Sequence, residues 1–365
     1  MDKKICIAPF TKKEYPLIEN LSKNYSNLTI ISPRGIGIEG EDISILKNTY
    51  KTGYKFSNSI LEGIVNSDVI LITEIKKEDK ALYAYAIQVL EVSIEEGKEV
   101  ICFLELDDIE YSIYKHQCEE KGIKSYFFHS SNDKDVNYEE EDFKIFNIPV
   151  IYVSEMIPDC DGYDFFLKLM NRLENDGKNV LAISQDTYNI LFNQVHMTFW
   201  AETVSRKMVY WLNHTVYNLV CEKRPDIILI RLPEPMMKYD NVNTYDFGLT
   251  AFLLAQAIPG DGCICCSYAG TPPIDFWGNI NESFIAKFGY PIMGVHLCNQ
   301  IIDGTEDKWI TTIHISDSEI ENEIKLLNQH NELMFYQLSS EDGFNEFYET
   351  LNSELFDIPY GVIEV

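Results

Sequence analysis

Basic side chains are scarce in this chain. Thirty lysines and arginines stand against 58 aspartates and glutamates, which leaves a net charge of −28 over 365 residues. A nucleic-acid binder needs clustered cations to displace counterions from phosphates, so that class is excluded. Long apolar runs are also missing. The first, Ile5 to Phe10, is too short for a signal peptide, and none of those that follow reaches membrane-spanning length. Cysteines number nine, an odd count, and "CICC" at Cys263–Cys266 lacks the two-residue gap of a zinc or redox pair. Without an export signal these read as reduced thiols, and a soluble, cytoplasmic protein with no membrane association is expected. Repeats and low-complexity segments are absent.

What is present is apolar content of 45%, ample for buried sheets. A chain of this length suits two domains. Strands are expected at Lys4–Pro9, Leu28–Ser32, Asp68–Thr73 and Glu99–Leu106. Between the last two, Asp79 to Lys98 has helical spacing and closes at Gly97. Further strands are expected at Ile148–Ser154, Asn179–Ser184, Pro225–Pro233, Gly262–Ala269 and Tyr290–Cys298. A long helix, about Thr198 to Lys223, carries Trp200, Val204, Met208, Trp211, Leu212, Thr215 and Leu219 on one stripe. Alternating strands and helices, with strands apolar throughout, mean mainly parallel sheets covered on both faces. The expected fold is therefore α/β, with two Rossmann-like domains, the second resembling a degenerate P-loop NTPase. The expected division is residues 1–130, an acidic linker 131–147, a P-loop-like domain 148–315, and a C-terminal appendage 316–365 holding a helix, a strand and a final helix.

Two glycine-bearing segments invite a nucleotide. "GIGIEG", Gly35 to Gly40, satisfies the dinucleotide pattern but follows the second strand instead of the first, before a poor helix start. A turn is the simpler reading, with Arg34 solvated. The frame Pro149–Ser184 is strand, loop and helix, as in P-loop proteins. Its loop, "SEMIPDCDGYD", has one glycine, Gly162, no lysine, and four acids, Glu155, Asp159, Asp161 and Asp164. A phosphate loop needs glycines to bare its N–H groups and a lysine for the charge. Where a magnesium-holding strand should end in Asp, "PDIILIRLPEP" places Arg231, followed by Glu234 and Pro235. The expectation is a P-loop frame without nucleotide chemistry, hence no cofactor. A cation held by Asp159, Asp161 and Asp164 is the weaker reading beside Asp161 simply capping the helix that starts near Gly162. The cysteines of "CICC", and His296 with Cys298 in "HLC", read as strand residues. His196, His214 and Ser184 nominate no triad.

The segments "IPVIYVSEMIPDCDGYDFFLKLMNRLENDGKNVLAIS", "RPDIILIRLPEP" and "FGLTAFLLAQAIPGDGCICC", with "ICIAPFTKKEYPLIENL" and "ISPRGIGIEGEDI", carry a resemblance. It spans Ile5 to about Asp303. The chain resembles the clostridial peptide maturation system protein family, whose members are encoded beside small bacteriocin-like ribosomal peptides, radical-SAM enzymes and exporters. That family's strand ends in Pro-Gly-Gly where this chain has Pro233-Glu234-Pro235. The pairing of a Rossmann-like with a P-loop-like domain is similar to that of D-glutamate N-acetyltransferases, at the level of fold. The resemblance implies an accessory role in maturing a ribosomally synthesised peptide, through binding the precursor peptide or its modifying enzyme; assembly as an oligomer or heteromer is left open. The alternative is a group-transfer enzyme working between the domains. Ligands of parallel sheets bind beyond the strands' carboxyl ends. The expected substrate-binding residues are therefore Glu155, Asp159, Asp161, Ser184, Arg231 and Glu234, with Gln185 and Tyr268 on the same edge.

Overall fold

The computed structural model describes residues 3–46, 51–128, 142–192, 194–197, 206–270, 272–273, 275–306 and 309–357. The chain forms two compact units, Met1–Asp133 and Lys134–Val365.

The first unit contains β1 (Lys4–Ala8), α1 (Leu17–Asn24), β2 (Asn27–Ile31), β3 (Phe56–Ser57), α2 (Ile60–Val65) and β4 (Val69–Ile72). These are followed by α3 (Lys80–Glu95), β5 (Glu99–Cys102), α4 (Asp108–Glu120) and β6 (Ser125–Phe127). Every described strand pair is parallel and the order is β3-β2-β1-β4-β5-β6, the doubly wound Rossmann arrangement. The sequence explains the core: Ile5 to Ala8 and Val69 to Ile72 are buried on both faces, as unbroken apolar strands require. Helix α3 buries Ala86, Val89, Leu90, Ser93 and Ile94, at the spacing of one helical stripe. Asp79 caps its start and Gly97 lies just past its end in the left-handed region.

The second unit runs β7 (Val150–Glu155), α5 (Gly162–Asn175), β8 (Val180–Ser184), β9 (Val195–His196), α6 (Arg206–Lys223) and β10 (Ile227–Arg231). It continues with α7 (Leu249–Ala257), β11 (Gly262–Ala269), α8 (Phe276–Phe288), β12 (Ile292–Glu306), β13 (Trp309–His314), α9 (Asp317–His330), β14 (Phe335–Tyr336) and α10 (Glu341–Asn352). The sheet order is β13-β12-β11-β7-β10-β8-β9, with β14 also on β12. All described pairs are parallel except β12 with β13. The fold is thus α/β, with two mainly parallel sheets. β7, the first strand of this unit, lies centrally between β10 and β11. The winding direction therefore reverses at β7, and its carboxyl end is the switch point where such sheets bind ligands.

One face of this sheet packs on Met208, Leu212 and Val216 of α6, Leu254 of α7, Trp277 and Phe284 of α8 and Ile320 of α9. The other packs on Phe165, Phe166 and Leu169 of α5 and on Phe344, Phe347 and Leu351 of α10. The segment from Ser316, expected as an appendage, is therefore built into this core: β14 extends the sheet, and Arg172 of α5 stacks 4.6 Å from the Tyr348 ring. β12 continues beyond the expected Cys298 because its second half turns to pair antiparallel with β13. In the expected helix Thr198–Lys223, the first eight residues, Trp200 and Val204 among them, lie outside the described residues. So does most of the acidic stretch 131–147. Of the latter's remaining part, Lys144 exchanges two backbone hydrogen bonds with the Asn213 carboxamide, and Phe143 and Phe146 set their rings edge-on to Tyr210 and Tyr217 of α6.

Candidate functional site at the carboxyl edge of the second sheet

A helix N-terminus presents backbone N–H groups that lack intrahelical partners and carries a positive dipole end, so something acidic belongs there. In a P-loop that is a phosphate. Here it is Glu155, the last residue of β7, whose Oε1 accepts from the backbone N–H of Cys160 (2.9 Å) and of Gly162 (3.1 Å). A Cβ at Gly162 would stand 2.5 Å from Glu155 Cγ, so the loop's single glycine is what admits this side chain. The expectation that Asp161 caps α5 is corrected. Asp161 occupies the cap position in the left-handed conformation (φ 64°) and makes no side-chain cap bond, because Glu155 already fills the N–H cradle. Asp159 is left-handed too (φ 66°), and aspartate tolerates that region better than most residues.

The other oxygen of Glu155, Oε2, accepts from Arg231 Nη2 at 3.0 Å, while Arg231 Nη1 reaches both oxygens of Asp186, at 3.1 and 2.9 Å. The Arg231 guanidinium also lies 5.6 Å from the Tyr163 ring centre. Arg231 ends β10 and neighbours β7 in the sheet, so a cation clamped between two carboxylates stands where the sequence pattern suggested a metal-ligand position. Burial pushes the Glu155 carboxyl above its ordinary range, against the opposing pull of Arg231 and the two backbone donors. Burial alone would lower the Arg231 guanidinium, but Asp186 and Glu155 more than offset it and hold the group above its usual value, fully charged.

Ser184, buried at the end of β8, donates to Asp186 Oδ2 (2.6 Å) and accepts from Asn189 Nδ2 (2.7 Å). The structure thus brings Glu155, Arg231 and Ser184 into one network and adds Asp186, which the sequence reading passed over for its neighbour Gln185. A signal for it exists: Ser-x-Asp directly after a strand, with an arginine ending the adjacent strand. Asp159 and Glu234 are exposed on the same edge. Asp159, Asp161 and Asp164 do not converge as a cation site: among the described residues no group of three or more His, Cys, Asp or Glu is arranged to hold a metal.

Around the outer rim, the Tyr268 hydroxyl donates to the Pro158 carbonyl at 2.8 Å. The Tyr245 phenol is pushed up by burial and, after that, by the charge of Asp240. His296 is buried. Its Nδ1 accepts from the Leu338 backbone N–H (3.1 Å), which leaves Nε2 facing Asp161 Oδ2 at 3.8 Å. Cys263, Cys265, Cys266 and Cys298 are also buried, and burial drives the Cys263 and Cys266 thiols far up, so neither is poised as a nucleophile.

No protein-family model matches the sequence, and no curated protein matches it. Solved structures do. A DUF1611 family protein from Anabaena variabilis superposes with a TM-score of 0.60 at 10% identity, covering 95% of this chain and 99% of that one. The fold is similar to that of the DUF1611 protein. Cobyrinic acid a,c-diamide synthase from Mycobacterium smegmatis, bound to an ATP analogue and magnesium, matches at TM-score 0.35 and 11% identity, over 57% of this chain and 95% of that one. The septum site-determining protein MinD from Pyrococcus horikoshii, complexed with Mg-ADP, matches at 0.29 and 14%, over 57% and 96%.

Proposed function

We propose that this chain is an accessory protein of peptide maturation that binds a ribosomally made precursor peptide, or the enzyme that modifies it, and does not turn over a nucleotide. The observation that carries this reading is the occupied cradle. The two N–H groups and the cation that would meet a phosphate are satisfied by Glu155 and, on the far side, Asp186. A triphosphate entering here would have to displace a hydrogen-bonded carboxylate and face Asp159 and Asp161 besides. What remains outward is acidic and phenolic, a surface that suits amines and amide edges. The resemblance to the clostridial peptide maturation family supports the peptide as ligand, and a net charge of −28 attracts a basic one at long range. Calorimetry of the precursor peptide encoded beside the gene, at low and high salt, tests this. Binding should weaken with salt and weaken further in the Asp159→Lys/Glu234→Lys variant. An affinity for Mg-ATP in the micromolar range, or silence with the peptide and with its modifying enzyme, would refute it.

A second reading, a group-transfer enzyme with the same peptide or an amino acid as substrate, is favoured by one observation. The His296 Nε2 atom, buried and without a hydrogen-bond partner, stands near Asp161 on the same edge and would serve as a proton carrier. Loss of a modified product on His296→Gln, with peptide binding retained, would favour the enzyme.

A further inference from the structure

The exposed surface next to the acidic rim is apolar. Helix α7, "LTAFLLAQA", is apolar on nearly every side, the composition of a helix meant to be covered all round. Its inner side does pack into the core through Ala251, Leu254 and Ala257. Its outer stripe, Leu249 and Phe252, three residues apart, is exposed. The loop leading into it adds Val242 and Phe247, which are 60% and 52% exposed. This is no frayed segment. Asp240 accepts from the N–H groups of Val242 and Asn243, and Asp246 from those of Gly248 and Thr250. The apolar side chains are thus held outward by an ordered backbone, so a ligand would meet them with little ordering cost. The start of this helix adjoins the acidic rim: a Cβ at Gly248 would stand 2.3 Å from the Met236 carbonyl oxygen, and the Met236 N–H donates to the Glu155 carbonyl, with Glu234 just before it in the chain. The nearby cations are engaged locally: Lys238 Nζ bonds Asn241, and Lys287 Nζ points to the Phe247 carbonyl.

We infer that Val242, Phe247, Leu249 and Phe252, together with Asp240 and Asp246 of the same loop and the neighbouring Glu234, form a docking surface for a basic peptide that carries aromatic or large aliphatic side chains. The charge decides between occupants. A second copy of the chain brings the same −28 and the same acidic rim, so self-association across this patch is opposed by like charge, while a cationic segment is drawn to it. The apolar anchors supply burial and the acids supply orientation and arrival rate. This inference rests on the peptide-binding reading above and assigns it a place.

The test uses the full chain and three labelled synthetic peptides: four repeats of Lys-Phe-Ser, of Glu-Phe-Ser and of Lys-Ser-Ser. The first should bind at least tenfold more tightly than either other, and 0.5 M salt should weaken it. The Val242→Ser/Phe247→Asn/Phe252→Gln variant should lose at least tenfold in affinity; asparagine is chosen because Phe247 is left-handed (φ 58°). Should that triple variant unfold, the exposed Val242→Ser replacement alone should still weaken binding. Undiminished affinity in a folded variant would overturn the docking surface and leave peptide binding elsewhere on the molecule. Failure of the wild type to prefer the Lys-Phe-Ser peptide would overturn the surface, while the precursor titration decides the function independently. A wild-type dimer that the triple variant converts to monomers would show that the patch serves self-association instead.

Discussion

The loop after β2 has the glycines of a phosphate cradle in the wrong place, and the loop after β7 has the place without the glycines. Among the described residues, Gly35 to Gly40 leads into a 3₁₀ turn, Ile43–Leu46, and not into an α-helix. Gly35 and Gly40 serve turns, both in the left-handed region with open space around them. Glu155 to Gly162 does stand at a switch point before a 14-residue helix, and its donors are directed inward as a cradle would require. The difference teaches that the anion preference belongs to the strand–loop–helix geometry, and that the chain meets it internally with a carboxylate.

Four replacements probe this contrast. The largest effect is expected from Arg231→Ala, which strands Glu155 and Asp186 without their cation and should cost on the order of 3 kcal/mol at neutral pH. Burial already holds Glu155 above the ordinary carboxylate range, and losing the guanidinium raises it further. Between the ordinary glutamate pKa and the raised folded value, the folded variant therefore keeps a proton that the unfolded chain has released. The stability this proton contributes is fully present below the ordinary glutamate pKa and is lost as pH rises through the raised folded value. Urea unfolding at pH 7 and pH 5 should show the gap between wild type and variant narrowing at pH 5; an unchanged gap would mean Glu155 does not titrate as described. Next, Glu155→Ala orphans the Cys160 and Gly162 donors at a cost of about 1–3 kcal/mol. Sulfate should raise the melting temperature of this variant more than that of the wild type, since the vacated cradle would then take an anion. Equal shifts would count against a cradle hidden beneath Glu155.

Gly162→Ala inserts a methyl group against Glu155 and should cost about 1–2 kcal/mol, with a weaker version of the same sulfate response. The smallest effect is expected at the glycine-rich loop. Gly40→Ala meets no neighbour and should cost about 1 kcal/mol through its left-handed backbone alone, with no change in any ligand response. A ligand-linked change there would reverse the contrast between the loops.

Much of the scaffold was legible because its strands are short unbroken apolar runs, such as Ile5–Ala8, Val69–Ile72 and Ile227–Ile230, and these have few alternatives to a buried parallel sheet. The two-residue strands β3 and β9 were harder, since they are defined by their neighbours and not by any pattern of their own. The second half of β12, with Asn299, Gln300 and Asp303, reads as a polar exit from a strand until β13 supplies a partner. At the site, the sequence showed that a lysine was missing and an arginine had appeared. It could not show where Glu155 points, because that depends on Arg231, 76 residues away, and on Asp186, 45 residues from that arginine. The assignment of a cap to Asp161 followed a sound local rule that the Glu155 carboxylate overrode.

The burial of the thiols has a practical consequence. Among the described residues, which include all nine cysteines, Cys221 on α6 is the one exposed thiol. The native protein therefore carries a natural address for a single covalent probe: a maleimide dye or spin label should attach to Cys221 first, without engineered substitutions. Denaturation should release eight further thiols to the reagent. Reporter groups placed this way would sit on the helix that packs directly against α7, so that events at that neighbouring element are read out in the spectrum of a dye the protein itself positions.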